Sequence, residues 1–93
     1  NPNHILVILD EIKKVHDEAL EILQSKQCDE ATFSSLVHKV KGGAQLLSAK
    51  SFIQACTELE QAGDLNLKIS TFIELLAQQN QVIASYKSKY LKP

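Results

Sequence analysis

The stretch ILVILDEIKKVHDEALEIL, residues 5–23, indicates a helical fold because its apolar residues recur with the period of an α-helix. Steps of three or four residues place side chains on one helix face, and the charged residues of this stretch lie largely off that face. The stretch is therefore predicted to form one long amphipathic helix, with Asp10 and Lys14 as an ordinary ion pair on its solvated side. The predicted inward residues are Ile5, Ile8, Leu9, Ile12, Val15, Ala19, Ile22 and Leu23.

Three more amphipathic segments follow along the chain. A bundle core is enough to explain the seven-residue repeat in the last of them, so that repeat does not indicate a coiled-coil dimer. The predicted inward residues are Phe33, Val37, Val40, Ala44 and Leu47 in the second helix, Phe52, Cys56 and Leu59 in the third, and Ile69, Phe72, Ile73, Leu76, Ile83, Tyr86 and Tyr90 in the fourth.

Polar residues and glycines mark where these helices are expected to begin and end. The expected helices cover about residues 2–25, 29–47, 49–62 and 67–90. Short turns between four amphipathic helices predict an all-α, antiparallel up-and-down four-helix bundle, with residues 1–93 as a single domain. The expected caps and stops are Asn1 (with Pro2 at the first helical position) or Asn3, then Asp29, Ser48, Gly63 and Asn66.

The bulk composition excludes several classes of function. Of the 93 residues, 44% are hydrophobic and 23% are charged, which is ordinary for a globular domain. The net charge of -1 provides no basic footprint for nucleic acid. No apolar run reaches the roughly 20 residues that a membrane-spanning helix needs, so direct membrane insertion is not expected. Because the chain begins with Asn1 and contains no methionine, it is expected to be a segment excised from a larger chain or a trimmed form of one.

The spacing of ligating residues predicts no metal or nucleotide site. Cys28 and Cys56 lack metal-ligand spacing and are expected to be a loop residue and a buried apolar residue. His4 and His16 share no helix face with a cysteine or carboxylate set, so both are expected at the surface or at its boundary. The serines lack a His/Asp partner constellation. No glycine-rich nucleotide loop is present, so this segment is not expected to be a kinase by itself.

A second stretch, LVHKVKGGAQLLSA at residues 36–49, carries the functional signal. Inside a helix, Gly42 and Gly43 each cost about 1 kcal/mol relative to alanine. Ala44 and Leu47 nevertheless continue the inward face after them. The glycines are therefore not expected to end the helix, and they need another reason.

The outward face of this helix brings together His38, Lys41, Gly42 and Gln45, which fall within about 60° of His38 at about 100° per residue. An ordinary histidine side chain, with a pKa of about 6.5, is largely neutral and nucleophilic at neutral pH. Its outer ring nitrogen could attack a phosphoryl group on a partner, with Lys41 attracting the phosphoryl oxygens and Gly42 leaving room. Gly43 leans towards the neighbouring helices, where close packing is the expected reason. The alternative is plain solvated surface on a non-catalytic helical-bundle interaction adaptor.

Three segments in the middle third of the chain combine into a family pattern. They are His38-Lys39-Val40-Lys41-Gly42, Ala49-Lys50-Ser51-Phe52 and Cys56-Thr57-Glu58-Leu59-Glu60. In this combination the chain resembles the histidine phosphotransfer (HPt) domains at the C-terminal end of bacterial hybrid sensor histidine kinases. The resemblance is close over about residues 36–60 and architectural elsewhere. Gln45 and Ser48 depart from it, since many members have a small residue and commonly a glycine there, and both departures bear on partner choice.

The resemblance implies a phosphorelay intermediate in two-component signal transduction. His38 would accept a phosphoryl group from a receiver-domain aspartate and pass it to the aspartate of another receiver, and Lys41 would stabilise the phosphoryl group. The implied partners are receiver domains of the same hybrid kinase and of a response regulator, in the cytoplasm. Those receivers would carry Mg²⁺, and this domain would bind no cofactor itself. The residues expected at the receiver contact are Ser34, Ser35, Gly42, Gln45 and Leu46.

Overall fold

The computed structural model describes residues 2–25, 28–47, 49–61 and 63–91. They form four helices, α1 (Pro2–Gln24), α2 (Glu30–Leu46), α3 (Lys50–Glu60) and α4 (Leu65–Leu91), and no strand occurs within those ranges. Each helix packs against the next one in the chain, and α1 also packs against α4. This closed order confirms the predicted four-helix bundle. The predicted bounds agree with the observed ones to within about two residues, the usual uncertainty of helix ends.

The main core lies between all four helices. Phe33 of α2 and Phe72 of α4 meet edge to face with ring centroids 5.6 Å apart. Burying a side chain of this size fully stabilises the fold by about 1.5–3 kcal/mol. Phe33, Val37, Val40, Ala44, Phe52, Cys56 and Leu59 are buried, which confirms their predicted inward orientation, whereas Leu47, the remaining predicted member, is half-buried. A second, smaller cluster joins α1 to α4 through Leu9, Ile12 and Ile83.

The inward faces of α1 and α4 contain fewer buried residues than the sequence predicts. Ile8 and Ile22, at the edges of the α1 stripe, are 39% and 38% exposed. Tyr86 and Tyr90 at the end of α4 are 48% and 39% exposed, although both lie on its apolar stripe. The two tyrosines are exposed because the helices differ in length. Since α4 has 27 residues and α3 has 11, α3 cannot cover the whole of α4.

Only part of the predicted helix capping is confirmed. The Asp29 side chain accepts a hydrogen bond from the backbone N–H of Thr32 at 2.8 Å, so Asp29 is an N-cap of α2. The Asn66 prediction is wrong, because α4 begins at Leu65 and the side chain of Asp64 accepts the backbone N–H of Asn66 at 3.2 Å. The Asn3 alternative is also wrong, since α1 begins at Pro2.

The remaining two predicted caps, Asn1 and Ser48, lie outside the described residues. At the other end of α3, the helix finishes at Glu60 and Gln61 follows in a right-handed conformation. Gly63 does not adopt the left-handed conformation that a glycine stop uses. The α3 stop therefore does not depend on glycine geometry at this position.

The ion pair predicted within α1 is replaced by one between helices. Asp10 pairs with Lys87 of α4 and not with Lys14, because the packing of α1 on α4 brings Lys87 alongside. The i,i+4 pair on α1 is instead Lys13 with Asp17, at 2.7 Å. Pairs of this exposed kind stabilise a helix by only about 0.3–0.5 kcal/mol.

His16 is not at the surface, contrary to the sequence prediction. Its side chain is 2% exposed, and its Nδ1 lies 2.9 Å from Oδ1 of Asn80 on α4. The amide nitrogen of Asn80 donates to Asp17 at 3.4 Å, so its oxygen faces the ring and Nδ1 of His16 is the donor. Since the position falls at the centre of the α1 stripe, between Ile12 and Ala19, helical spacing could have revealed its burial.

None of the helices, over the residues described, is long and apolar enough to cross a membrane. Within the same residues, no cluster of three or more His, Cys, Asp or Glu side chains is arranged to hold a metal ion.

Candidate functional site

His38 lies near the middle of α2 with its side chain exposed to solvent. The opposite face of the same helix is anchored in the core by Phe33, Val37, Val40 and Ala44. A helix held along its length in this way fixes the position of the ring without a loop. The predicted outward orientation of His38 is confirmed.

Lys41 follows His38 by one helical turn and is less exposed than the sequence suggested. Its side chain is 21% exposed, and its Nζ lies 3.3 Å from Oε1 of Glu60 at the end of α3. Sequence reasoning assigned no role to Glu60, although the Leu59-Glu60 pair was part of the family pattern. The Lys41 side chain thus reaches from α2 to the end of α3.

Cys56 lies close to this ion pair but is not a reactive thiol. Burial raises the pKa of the Cys56 thiol to about 11, while Lys41 lowers it and Glu60 raises it by their charges. The thiolate is the nucleophilic form of cysteine, so Cys56 is largely unreactive at neutral pH. Cys28, half-buried outside the helices, carries a free thiol whose pKa is also raised by burial. Both cysteines lie where the sequence predicted.

The two adjacent glycines have different surroundings. A Cβ built on Gly42 meets no atom within 4 Å, so the surface beside His38 is open. A Cβ on Gly43 lies 3.3 Å from Cγ1 of Ile12 in α1, which is tighter than an ordinary contact. Gly43 therefore permits close packing of α2 against α1, as predicted, whereas packing offers no reason for Gly42.

The other residues expected at the partner contact are all on the exposed surface of α2. Ser34 and Ser35 precede His38 by about one turn, and Gln45 follows Lys41 by one turn. Leu46 is 71% exposed, which is high for a large apolar side chain near a helix end. Together with His38, Lys41 and Gly42 these residues form one continuous outward strip, named here the α2 strip.

An apolar groove of about 240 Å³ between α1 and α2 lies next to the α2 strip. Sequence reasoning missed this groove because a helical repeat does not show how closely two neighbouring helices pack along their lengths. Val7 on its wall is 61% exposed, and Leu46 belongs to both the groove and the α2 strip. The residues lining it include Val7, Ile8, Ile12, Val15, Gly43 and Leu46.

One buried charge, at the start of α4 and far from His38 in the chain, has a structural explanation. Lys68 is 5% exposed, and its ammonium pairs with Glu30 at 3.1 Å and lies 5.5 Å from the centroid of the Phe33 ring. An ion pair and a cation–π contact together offset the burial of this charge. Lys68 therefore ties the start of α4 to the start of α2.

Comparison with known proteins adds no relative to this picture. The chain matches no protein-family model, no curated protein and no solved structure.

Proposed function

We propose that this domain is a phosphorelay intermediate that carries a phosphoryl group on His38. The observation that carries the proposal is an exposed imidazole in the middle of a well-anchored helix, with Lys41 one turn away and open space over Gly42. A rigid nucleophile beside a cation and an unobstructed approach is what transfer between two proteins requires. The resemblance of this segment to HPt domains points to the same reaction.

In the proposed reaction, the unprotonated outer nitrogen of His38 attacks the phosphorus of an aspartyl phosphate on a receiver domain. The nitrogen–phosphorus bond forms as the phosphorus–oxygen bond to the aspartate breaks, and the aspartate leaves as a free carboxylate. The proton on the inner ring nitrogen can pass to solvent. Transfer to a second receiver reverses these bond changes and restores the imidazole. The negative charge on the phosphoryl oxygens is partly neutralised by Lys41 and, from the receiver side, by Mg²⁺.

The partner contact is assigned to the α2 strip and the neighbouring groove. An exposed apolar area beside a polar site is typical of a surface that another protein covers. Val7 and Leu46 would supply apolar contact area, while Ser34, Ser35 and Gln45 would form the polar rim. The proposed partners are receiver domains of a hybrid sensor kinase and of its response regulator in the cytoplasm.

The second candidate is a non-catalytic interaction adaptor, which the exposed Val7 and Leu46 also favour. The two functions differ in what they require of His38. An adaptor would bind its partner with any residue of similar size at this position, whereas a phosphotransfer domain needs the imidazole nitrogen.

The distinguishing experiment uses a panel of receiver domains labelled with radioactive acetyl phosphate and Mg²⁺. We expect the domain to gain a label that survives alkali and is lost in acid, as a phosphohistidine is. His38→Gln should abolish the label, and His4→Gln should retain it because His4 is an exposed histidine outside the α2 strip. If no receiver labels the wild-type domain, or if His38→Gln is labelled equally, the phosphotransfer function is wrong.

A further inference from the structure

The ion pair between Lys41 and Glu60 ties the phosphotransfer site to α3. The two residues are 19 apart in the chain, and their side chains are 21% and 36% exposed. Lys41 is the only member of the α2 strip with an ion-pair partner among the described residues. Its ammonium is therefore already engaged before any phosphoryl group arrives.

The position of Glu60 is unfavourable for α3 itself. Glu60 is the last residue of that helix, where the negative end of the helix dipole disfavours a carboxylate. No basic residue lies in the last turn of α3 to offset it. The cation that pairs with Glu60 is Lys41 of α2, while the nearby carboxylate of Glu58 accepts a hydrogen bond from Gln54 at 3.2 Å.

Helix geometry directs the Lys41 side chain towards the turn that carries His38. Side chains on a helix lean towards its N-terminus, so Lys41 extends from its own turn back towards the preceding one. A phosphoryl group on His38 carries close to two negative charges at neutral pH, against one on Glu60. The two anions would have to share or exchange a single ammonium.

We propose that Glu60 competes with the phosphoryl group for Lys41 and so limits the stability of the phosphohistidine. This inference rests on the proposed function, because it assigns Lys41 to the phosphoryl oxygens. A carrier that must pass its group on gains from such a competitor, since a phosphohistidine held too firmly would not donate. Glu60 is thus a positioning residue that acts through Lys41.

The test follows the lifetime of the phosphohistidine without any receiver. The domain, with His4→Gln to remove the other exposed histidine, is phosphorylated with phosphoramidate, freed of reagent and followed by phosphorus NMR. Hydrolysis passes through a loose transition state with less charge on the phosphoryl oxygens, so a cation that is free to bind those oxygens slows it. Because partly exposed ion pairs are weak, we expect Glu60→Gln to lengthen the half-life by about two- to fivefold.

Two further variants separate this effect from a general loss of charge. Glu58→Gln removes the same charge from the same helical turn without touching Lys41, and its half-life should equal that of the parent. In a Lys41→Ala background, Glu60→Gln should have no effect on the half-life. Melting temperatures, measured in parallel, should be close for all variants.

The outcomes distinguish the two proposals. If Glu60→Gln leaves the half-life unchanged, shortens it, or acts equally with Lys41→Ala, the competition is wrong and the phosphotransfer function can still stand. If phosphoramidate phosphorylates His38 normally but no receiver transfers a phosphoryl group to the wild-type domain, the phosphorelay function is wrong. The competition is then judged on the half-lives alone. If phosphoramidate leaves no phosphoryl group on His38, both proposals are overturned.

Discussion

At the scale of single residues, two histidines on different helices lie in opposite environments. His38 is exposed on α2, whereas His16 is 2% exposed on α1 and hydrogen-bonded to Asn80. Their environments, and not their residue type, decide which of the two rings a partner protein could reach. Protonation of the buried His16 ring affects the stability of the fold.

The first prediction concerns the pH dependence of stability through His16. Burial lowers the pKa of His16 below its ordinary 6.5, against smaller opposing effects of Asn80 and Asp17. The unfolded chain therefore binds the proton more tightly than the folded one. This contribution to stability is complete above about pH 6.5 and is lost as the pH falls through the lower folded pKa. Each tenfold difference in proton affinity is worth about 1.4 kcal/mol.

Urea unfolding at about pH 7 and pH 5 measures this contribution. The wild-type chain should lose more free energy of unfolding between the two values than His16→Gln does. His4→Gln, at an exposed position, should keep the wild-type dependence. A His16→Gln variant whose stability falls as steeply as that of the wild type would contradict the assignment.

At the scale of the element, α2 has two faces with different surroundings. Its inward face is a regular helical stripe, and its outward face carries the α2 strip. The adjacent glycines divide between those surfaces. A Cβ at Gly43 would lie 3.3 Å from Ile12 of α1, whereas a Cβ at Gly42 would meet open space.

The second prediction compares alanine at these two positions. Gly42→Ala should raise the free energy of unfolding by about 0.5–1 kcal/mol, because the new methyl group meets nothing and the helix gains propensity. Gly43→Ala should gain less or lose stability, because its Cβ would lie 3.3 Å from Ile12. Urea unfolding of the two variants checks the order, and equal gains at both positions would show that α1 does not constrain Gly43.

The same pair also tests the reason given for Gly42. If Gly42 leaves room for a receiver, Gly42→Ala should slow phosphoryl transfer while stabilising the domain. Phosphoramidate labelling of His38 should stay unchanged in that variant, since a small molecule does not need the space. Transfer as fast as in the wild type would leave Gly42 without a role in docking.

At the scale of the whole molecule, the bundle depends on a core that all four helices share. The fully buried residues come from every helix, whereas the exposed large apolar residues lie outside this core. The stability of the molecule should therefore follow burial and not residue type. Two leucines on α4 make the comparison possible.

The third prediction contrasts Leu76, which is fully buried, with Leu67, which is 60% exposed on the same helix. Leu76→Ala should lower the free energy of unfolding by about 2–5 kcal/mol, because it removes buried methyl groups and leaves a cavity. Leu67→Ala should change it by no more than about 0.5 kcal/mol. Chemical denaturation checks both, and a large loss at Leu67 would mean that the start of α4 is covered.

The four helices, most residues of their inward faces and the outward position of His38 could be predicted from the amino-acid sequence, because helical periodicity is a local property of the chain. The same periodicity places His16 at the centre of the α1 stripe, but its burial was not predicted because histidine is a polar residue. The contacts between helices follow only from their packing: Glu60 against Lys41, Asn80 against His16, and the groove between α1 and α2. A helical repeat shows which residues face inward, but not which helix lies opposite or in what register. Those depend on how the four helices pack together.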